Sequence, residues 1–464
     1  FIMRENSARA VFLFTLMLNV AMFILLSFID KFLSDLTQQP KVHAKHGKIF
    51  SIFPEEPSVT IMLEEESSDL TVIPEHPNPL YNSHSTEVAG CVGAALDMLA
   101  RGKIDKAEKL LVHAMSLAPD HPDVLNRYGE FMESTRKDII SADQLYFRAL
   151  IISPGHSAAK GNRGRLAALV EEIDLGTLHR LDKKRDTVAS IPESNPALRK
   201  AKREAYYQHI YHTVGIEGNT MSLSQTRSIV ETRMAIGGKS IAEHNEVLGL
   251  DAALKYINTT LINRIGQLTI EDLLELHRRV LGFVDPTEGG YFRRTQVFVG
   301  DHIPPPPSNI LPLMQKLLKW LNSWDALSLH PIRYAALAHY KLVHIHPFSD
   351  GNGRTSRLLM NMILMWSGYP PVIILKQDRI RYYEAIKMAN RGDIRPFVRF
   401  IAESAEQTLD LFLWTTSEYS STLLALERVD RLITDPNEKS HIKNDSNHNQ
   451  HPFSKLFPTF NLTD

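Results

Sequence analysis

His346-Pro347-Phe348-Ser349-Asp350-Gly351-Asn352-Gly353-Arg354-Thr355-Ser356-Arg357 brings a base, a hard carboxylate, a glycine-rich turn and two arginines together in twelve residues. The pattern turns helical on both sides. Pro331 can open a helix, because its missing N–H falls where no intrahelical partner exists, and Ile332, Ala335, Ala336, Leu342 and Val343 then recur at helical spacing. A second helix is expected after Gly353, with Leu358, Leu359, Met362, Ile363 and Trp366 as its apolar stripe. The stretch between them reads as a loop feeding a helix N-terminus, where unpaired N–H groups and the positive end of the dipole converge. Gly351 and Gly353 let the backbone approach a ligand closely, so the loop suits a polyphosphate. Arg354 and Arg357, three apart, share a face and reach the same anion. Asp350 supplies one carboxylate, and one carboxylate with phosphate oxygens and waters is the usual way a protein holds Mg2+. His346 is the titratable side chain of the loop able to act as a base near neutral pH.

HPFSDGNGRTSR resembles the Fic-domain signature, His-Pro-Phe-x-(Asp/Glu)-Gly-Asn-(Gly/Lys)-Arg, at every fixed position. Proteins of that family mostly transfer AMP from ATP to a hydroxyl side chain of a target protein. The resemblance implies that His346 deprotonates the target hydroxyl for in-line attack on the α-phosphorus. It implies that Asp350 holds Mg2+, or Mn2+, between the α- and β-phosphates, and that Gly351, Asn352, Gly353 and Arg354, with Thr355 and Ser356 following, cradle the phosphates while Arg357 takes the γ-phosphate. Such a reaction relies on positioning and charge neutralisation, which fits the residue inventory.

A chain of 464 residues suggests two or three domains. Its 52 basic and 53 acidic residues, a net charge of -1, argue against nucleic acid as the main partner. The single cysteine, Cys91, rules out an intrachain disulfide and leaves the redox compartment open. Ala10 to Ile29 is almost wholly apolar, and twenty residues at the helical rise cover a bilayer core. A cleaved signal peptide is the alternative, but its apolar region would be shorter and followed by a small-x-small site, whereas Phe28, Ile29, Asp30 and Lys31 follow here. Residues 1–35 are therefore expected to be a cytosolic tip and membrane anchor. Arg4 and Arg9 ahead of it put the bulk of the chain across the membrane. Asn258-Thr259-Thr260, Asn444-Asp445-Ser446 and Asn461-Leu462-Thr463 are glycosylation tripeptides that lean the same way, Asn258 being the one expected to be used.

Residues 36–88, with scattered prolines and the run Glu64-Glu65-Glu66, read as a stem. A repeat follows over 89–157. Ala94, Ala107, Leu111, Ala114 and Pro119 are matched thirty-five residues later by Gly129, Ala142, Tyr146, Ala149 and Pro154, which resembles two tetratricopeptide repeats at a period one longer than the usual. Two repeats bury too little alone, so a capping and linker helix, Ser157 to Ile173 within 158–195, should lead into the next unit. Ala197 to Glu217 reads as a helix ended by Gly218, in an inhibitory-helix region placed at 196–250. Thr213-Val214-Gly215-Ile216-Glu217-Gly218 is similar to the inhibitory motif of Fic proteins, (Ser/Thr)-x-x-x-Glu-(Gly/Asn). By that resemblance Glu217 pairs with Arg357 and blocks productive ATP binding.

Residues 251–432 are expected to hold the catalytic domain, its core at about 268–403, with 433–464 as a tail. Thr295 to Val299 has the β-branched content of a strand, ended by Gly300-Asp301-His302 and Pro304 to Pro307, and resembles the hairpin flap that holds a target backbone. The flap residues Val299, Gly300, Asp301 and His302, with Tyr382, Tyr383 and Asn390 near the adenine and ribose, complete the ATP site that the resemblance implies. Anchor, repeat pair, inhibitory glutamate and signature loop, in that order, resemble the metazoan Fic adenylyltransferases of the endoplasmic reticulum. That likeness implies a mainly α architecture, a single-pass type II protein with a lumenal active site, homodimers, and the lumenal chaperone BiP as the protein substrate. It also implies removal of AMP from the modified chaperone at the same site, with Glu217 acting on the attacking water. Two other readings stay open: a membrane-tethered adaptor with an inactive core, and a Fic enzyme that transfers another phosphate-containing group.

Overall fold

The computed structural model describes residue 50 and residues 85–434, with side chains to residue 417. The apolar stretch Ala10 to Ile29, the stem apart from Phe50 and its last residues, the tail beyond 434 and the Asn444 and Asn461 tripeptides lie outside the described residues.

Two helical hairpins come first: α1 (Ser85–Ala100) with α2 (Ile104–Leu117), and α3 (Pro122–Phe131) with α4 (Ile139–Ile152). Ala107, Leu111 and Ala114 of α2 are buried, as are Ala142, Tyr146 and Ala149 of α4, so small residues bring the helices close and one large residue fills each gap. A Cβ on Gly129 would sit 2.5 Å from the Tyr146 ring, which is why glycine stands there. Ala94 is exposed; its neighbour Ala95 takes the buried place. Ala95 and Gly129 are 34 residues apart, whereas Ala107 and Ala142 are 35 apart. The extra residue therefore falls after Gly129, where Met132–Arg136 forms a π-helical turn whose wider winding absorbs it.

Helix α5 runs unbroken over Ser157–Ala189, well beyond the Ile173 expected, because Gly161, Gly164 and Gly176 on it do not interrupt the winding. It links the hairpins to a bundle built from α6 (Pro196–Ile216), α7 (Leu223–Thr232), α8 (Ile241–Thr259), α9 (Ile270–Leu281), α10 (Ile310–Leu321), the short α11 (Trp324–Ser328), α12 (Pro331–Ile345), α13 (Asn352–Trp366), α14 (Arg379–Asn390) and α15 (Arg395–Thr434). Their starts are locally encoded. Asn195 Oδ1 accepts from the N–H groups of Ala197 and Leu198 at the head of α6, and Ser222 with Gln225, Ser240 with Glu243 and Thr269 with Asp272 form capping boxes on α7, α8 and α9.

Helix α13 is the centre of the bundle. Leu358, Leu359, Met360, Met362, Ile363 and Leu364 are all fully buried, so it is enclosed on every side rather than along one stripe, and Trp366 at its end is half-buried. It begins at Asn352, two residues before the position expected, because Gly351 adopts φ +77 and serves as its cap. Among the described residues the architecture is helical with no β-strand. The expected flap hairpin is reduced to one antiparallel bridge, Val299 with His302, both N–H to O distances being 3.0 Å. A ladder needs a partner strand, and Phe298 and Val299 instead face solvent. No helix among the described residues is long and apolar enough to cross a membrane.

Candidate active site

The loop 346–351 turns the chain from α12 back into α13. His346 caps α12 in the left-handed region, φ 51 and ψ 58, a conformation that a non-glycine residue adopts only when its surroundings hold it there. Its Nδ1 lies 3.2 Å from the Val343 carbonyl and so carries the proton, which leaves the Nε2 lone pair free to take one. Burial lowers the imidazole pKa, and the charge on Arg293 adds to the effect against the pull of the Val343 carbonyl. The ring is therefore neutral at pH 7, the state a base needs.

The carboxylate side of the loop is locked from behind. Asn352 closes it with both ends of its amide, Oδ1 accepting from Phe348 N–H at 2.9 Å and Nδ2 donating to Phe348 O at 2.8 Å. His277 of α9, which the sequence reading did not single out, stacks its ring on Phe348 at 3.7 Å and 9°. The Gly290 N–H donates to its Nδ1 at 3.0 Å, which places the ring proton on Nε2, and Nε2 donates to Asp350 O at 2.9 Å. Burial holds the His277 pKa down at about 4, so this tautomer persists through the neutral range. The backbone that presents Asp350 is fixed by a neutral histidine.

Asp350 itself is two-thirds exposed; one oxygen accepts from Gly351 N–H at 2.6 Å and the other pairs with Arg354 Nη2 at 2.7 Å. Among the described residues no cluster of three His, Cys, Asp or Glu side chains could hold a metal. A single exposed carboxylate at a helix N-terminus fits a Mg2+ or Mn2+ held mainly by phosphate oxygens and water, with Asp350 as its protein ligand. Arg354 is buried between Asp350 and Glu246 of α8, whose Oε1 lies 3.5 Å from Nη1; Glu246 was not foreseen, since nothing local marks a glutamate 108 residues upstream. Thr355 and Ser356 are wholly buried, and the Thr355 N–H is already donated to Gly351 O at 2.9 Å, so neither side chain faces an anion at the loop.

Arg357 and Glu217 meet across the bundle. Helix α6 ends in a Schellman motif: Gly218 sits at φ +106, its N–H bonds to Gly215 O at 3.2 Å, and Asn219 N–H bonds to Val214 O at 3.2 Å. This turn points Glu217 into the site, where Oε1 lies 2.5 Å from Arg357 Nη2. The same nitrogen donates to Thr213 O at 3.1 Å, and Nη1 donates to Tyr382 OH at 3.4 Å. Burial opposes the Arg357 charge, but Glu217 and the Tyr382 hydroxyl outweigh it and the pKa is raised. Gly353 makes room for the pair, since a Cβ there would lie 2.5 Å from Glu217 Oε1.

The remaining residues divide. Tyr382 is fully buried behind Arg357, with its hydroxyl 2.8 Å from Nε2 of His339, a second residue missed by the sequence reading; Tyr383 beside it is 41% exposed. Asn390 Oδ1 is 3.1 Å from His344 Nδ1. The flap tip is tied down through Asp301, ion-paired with Lys387, and through His302, whose Nε2 donates to His344 O at 2.9 Å. Gly300 takes φ +59 at the turn. Val299 is 40% exposed at the rim. Asn258 is half-buried on the last turn of α8, away from the loop sequence that defines the site.

Residues 267–364, which run from α9 through the loop to near the end of α13, match the Fic/DOC family. The protein adenylyltransferase Fic of Aedes aegypti is 58% identical over 340 residues, covering 73% of this chain and 68% of that protein. The protein adenylyltransferase Fic of Drosophila melanogaster is 63% identical over 332 residues, covering 72% and 67%. Among solved structures, Fic-1 of C. elegans superposes with a TM-score of 0.68 at 42% identity, over 72% of this chain and 99% of that one. With the signature loop, the base and the arginine pair assembled on the same fold, the chain belongs to the Fic/DOC family, among the animal protein adenylyltransferases.

Proposed function

We propose that this enzyme moves AMP from ATP to a Ser or Thr hydroxyl of the lumenal chaperone BiP, that Glu217 restrains the transfer at rest, and that the same site removes AMP from the modified chaperone. The observation that carries the reading is the part-buried contact of Glu217 Oε1 with Arg357 Nη2 at 2.5 Å, next to a neutral His346 with its Nε2 free. His346 takes the proton of the target hydroxyl as its oxygen bonds to the α-phosphorus, the bond from that phosphorus to the bridging oxygen breaks, and pyrophosphate leaves. The Gly351 to Gly353 backbone and Arg354 receive the phosphates, and Mg2+ or Mn2+ bound at Asp350 supplies charge neutralisation. An arginine already bonded to a carboxylate cannot grip a γ-phosphate, so ATP enters in an unproductive pose. In the reverse direction the water that attacks the phosphorus gives a proton to Glu217, the bond to the Ser or Thr oxygen breaks, and His346 in its protonated form gives that oxygen a proton as AMP is released. The exposed edge at Phe298 and Val299 supports docking of the target backbone as an added strand.

The hairpins α1 to α4 are read as tetratricopeptide repeats that present a protein-binding face, in a homodimer anchored in the endoplasmic reticulum membrane with the catalytic domain in the lumen. Replacing Glu217 by Gly should raise AMP transfer from labelled ATP; no gain removes the inhibitory role. His346→Ala in that background should lower transfer by about a hundredfold or more, and retained activity sinks the base assignment. Glu217→Gly should also fail to strip AMP from premodified BiP, and unchanged stripping refutes the second role.

A further inference from the structure

Arg293 lies between α9 and the flap, only 2% exposed, and its guanidinium has carbonyl oxygens for partners. Nε donates to His346 O at 2.7 Å, Nη1 to Thr295 O at 2.8 Å and Nη2 to Pro305 O at 2.5 Å, while its backbone N–H donates to Pro347 O at 2.9 Å. A buried arginine usually meets a carboxylate. Here burial alone acts on its pKa, which is lowered. The partners come from three places: the base residue, the leg of the flap entering the bridge and the leg leaving it.

We infer that Arg293 is a positioning residue of the reaction, a clamp that fixes the base loop and both legs of the target-docking flap as one unit. His346 sits at φ 51, where its carbonyl needs a donor to hold the turn, and Arg293 Nε is that donor. The planar fork keeps the other two donors at a set angle, so the flap edge at Val299 and the base at Nε2 keep a constant separation. An attacking hydroxyl on a backbone docked along that edge then arrives within reach of the base. A lysine ammonium at the same place is a compact charge without the fork and cannot span three carbonyls in one plane. The ties at Asp301 and His302 hold the flap tip, not its legs.

This rests on the proposed transferase reading, and one of its tests does not require transfer. Arg293→Lys keeps the charge and Arg293→Gln keeps an amide donor; both are made in the Glu217→Gly protein and assayed with labelled ATP and purified BiP. At an unchanged melting temperature, each should lower kcat by about tenfold or more and raise the KM for BiP, with the KM for ATP within about twofold of the parent. Amide exchange of peptides 294–305 and 343–348 should accelerate about tenfold, with 352–366 unchanged. Full activity in the Lys variant, or unchanged exchange in those peptides, overturns the clamp. Exchange that rises equally through 352–366 assigns Arg293 a general packing role and also overturns it. If neither variant folds, the Glu217→Gly parent decides: flap legs and base loop should open together as urea rises, and separate opening refutes the coupling. A parent without transfer activity sinks the transferase reading and leaves the exchange result to judge the clamp.

Discussion

Gly353 is the residue on which the proposed restraint by Glu217 turns. It lies on the first turn of α13 and its backbone tolerates any helix former, yet a Cβ would meet Glu217 Oε1 at 2.5 Å and Arg357 Nη1 at 3.1 Å. Overpacking of this kind costs about 1–3 kcal/mol, enough to shift the ion pair by about 5-fold to about 160-fold. Gly353→Ala should therefore raise AMP transfer while Glu217 remains in place, by less than Glu217→Gly does; a variant no faster than its parent, with ATP affinity intact, contradicts the steric account. His346 gives a second expectation at this scale. Burial lowers its pKa, Arg293 and His302 add to the effect, and Glu217 opposes it. A base works deprotonated, so lowering its pKa extends the active range toward acid. In the Glu217→Gly variant kcat/KM should stay flat from pH 8 down through neutrality and fall with a midpoint below the ordinary histidine value of about 6.5. A limb centred at or above pH 7 would be incompatible with His346 as the base in this environment.

The elements carrying these residues depend on two close backbone approaches. Helices α8 and α9 cross where a Cβ on Gly249 would lie 2.5 Å from Val280 O and 2.9 Å from Arg279 O, contacts with backbone that cannot rotate away. Alanine is the better helix former by about 1 kcal/mol, but the clash dominates. We expect Gly249→Ala to destabilise the protein by about 1–3 kcal/mol, seen as a melting temperature lower by several degrees, with loss of activity in proportion because α9 carries His277. The hairpins show how far periodicity reaches at this scale. Ala107, Leu111 and Ala114 and their counterparts were legible because the small-large-small spacing is local, whereas the π-helical turn after Gly129, which shifts the repeat by one residue, has no sequence pattern to announce it.

At the scale of the whole molecule, α5 packs Leu178, Leu181 and Val188 into the core of the catalytic bundle, and charged pairs flank that apolar contact. Arg180 pairs in bidentate fashion with Glu406 at 2.8 and 3.0 Å, Lys184 reaches Glu406 at 2.9 Å and Asp410 at 2.6 Å, and Arg399 grips Asp174 at 2.7 and 2.8 Å. Beneath them Asp143 of α4 is fully buried, 2.6 Å from Arg395 Nη2 at the start of α15. Exposed pairs contribute little each and are screened by salt, whereas Asp143 is shielded. Asp143→Ala leaves Arg395 with Asp393, also at 2.6 Å, so the cost should fall to about 1–3 kcal/mol, below the ~3–5 kcal/mol of a stranded charge. Amide exchange should rise in α1 to α4 before it rises in α13, and uniform exchange would show that the hairpins are not held by this contact.

The signature loop was readable from the chain alone because base, carboxylate, glycines and arginines are contiguous, and helix caps such as Asn195 and Ser240 act within three residues of their partners. Glu217 and Arg357, 140 residues apart, could be paired beforehand only through the resemblance to the family motif. The folded structure was needed for the contacts no motif names: His277 and Asp350 are 73 residues apart, and Arg293 and His346 are 53. Single polar contacts at such separations leave no periodic trace, since each depends on how helices cross. Tyr382 illustrates the same limit: the packing of α14 against α12 and α15 buries it behind Arg357, with its hydroxyl 2.8 Å from His339 Nε2 of α12, a contact no spacing announces. The flap has strand composition and no strand, because a ladder forms only when a second edge is present to pair with it.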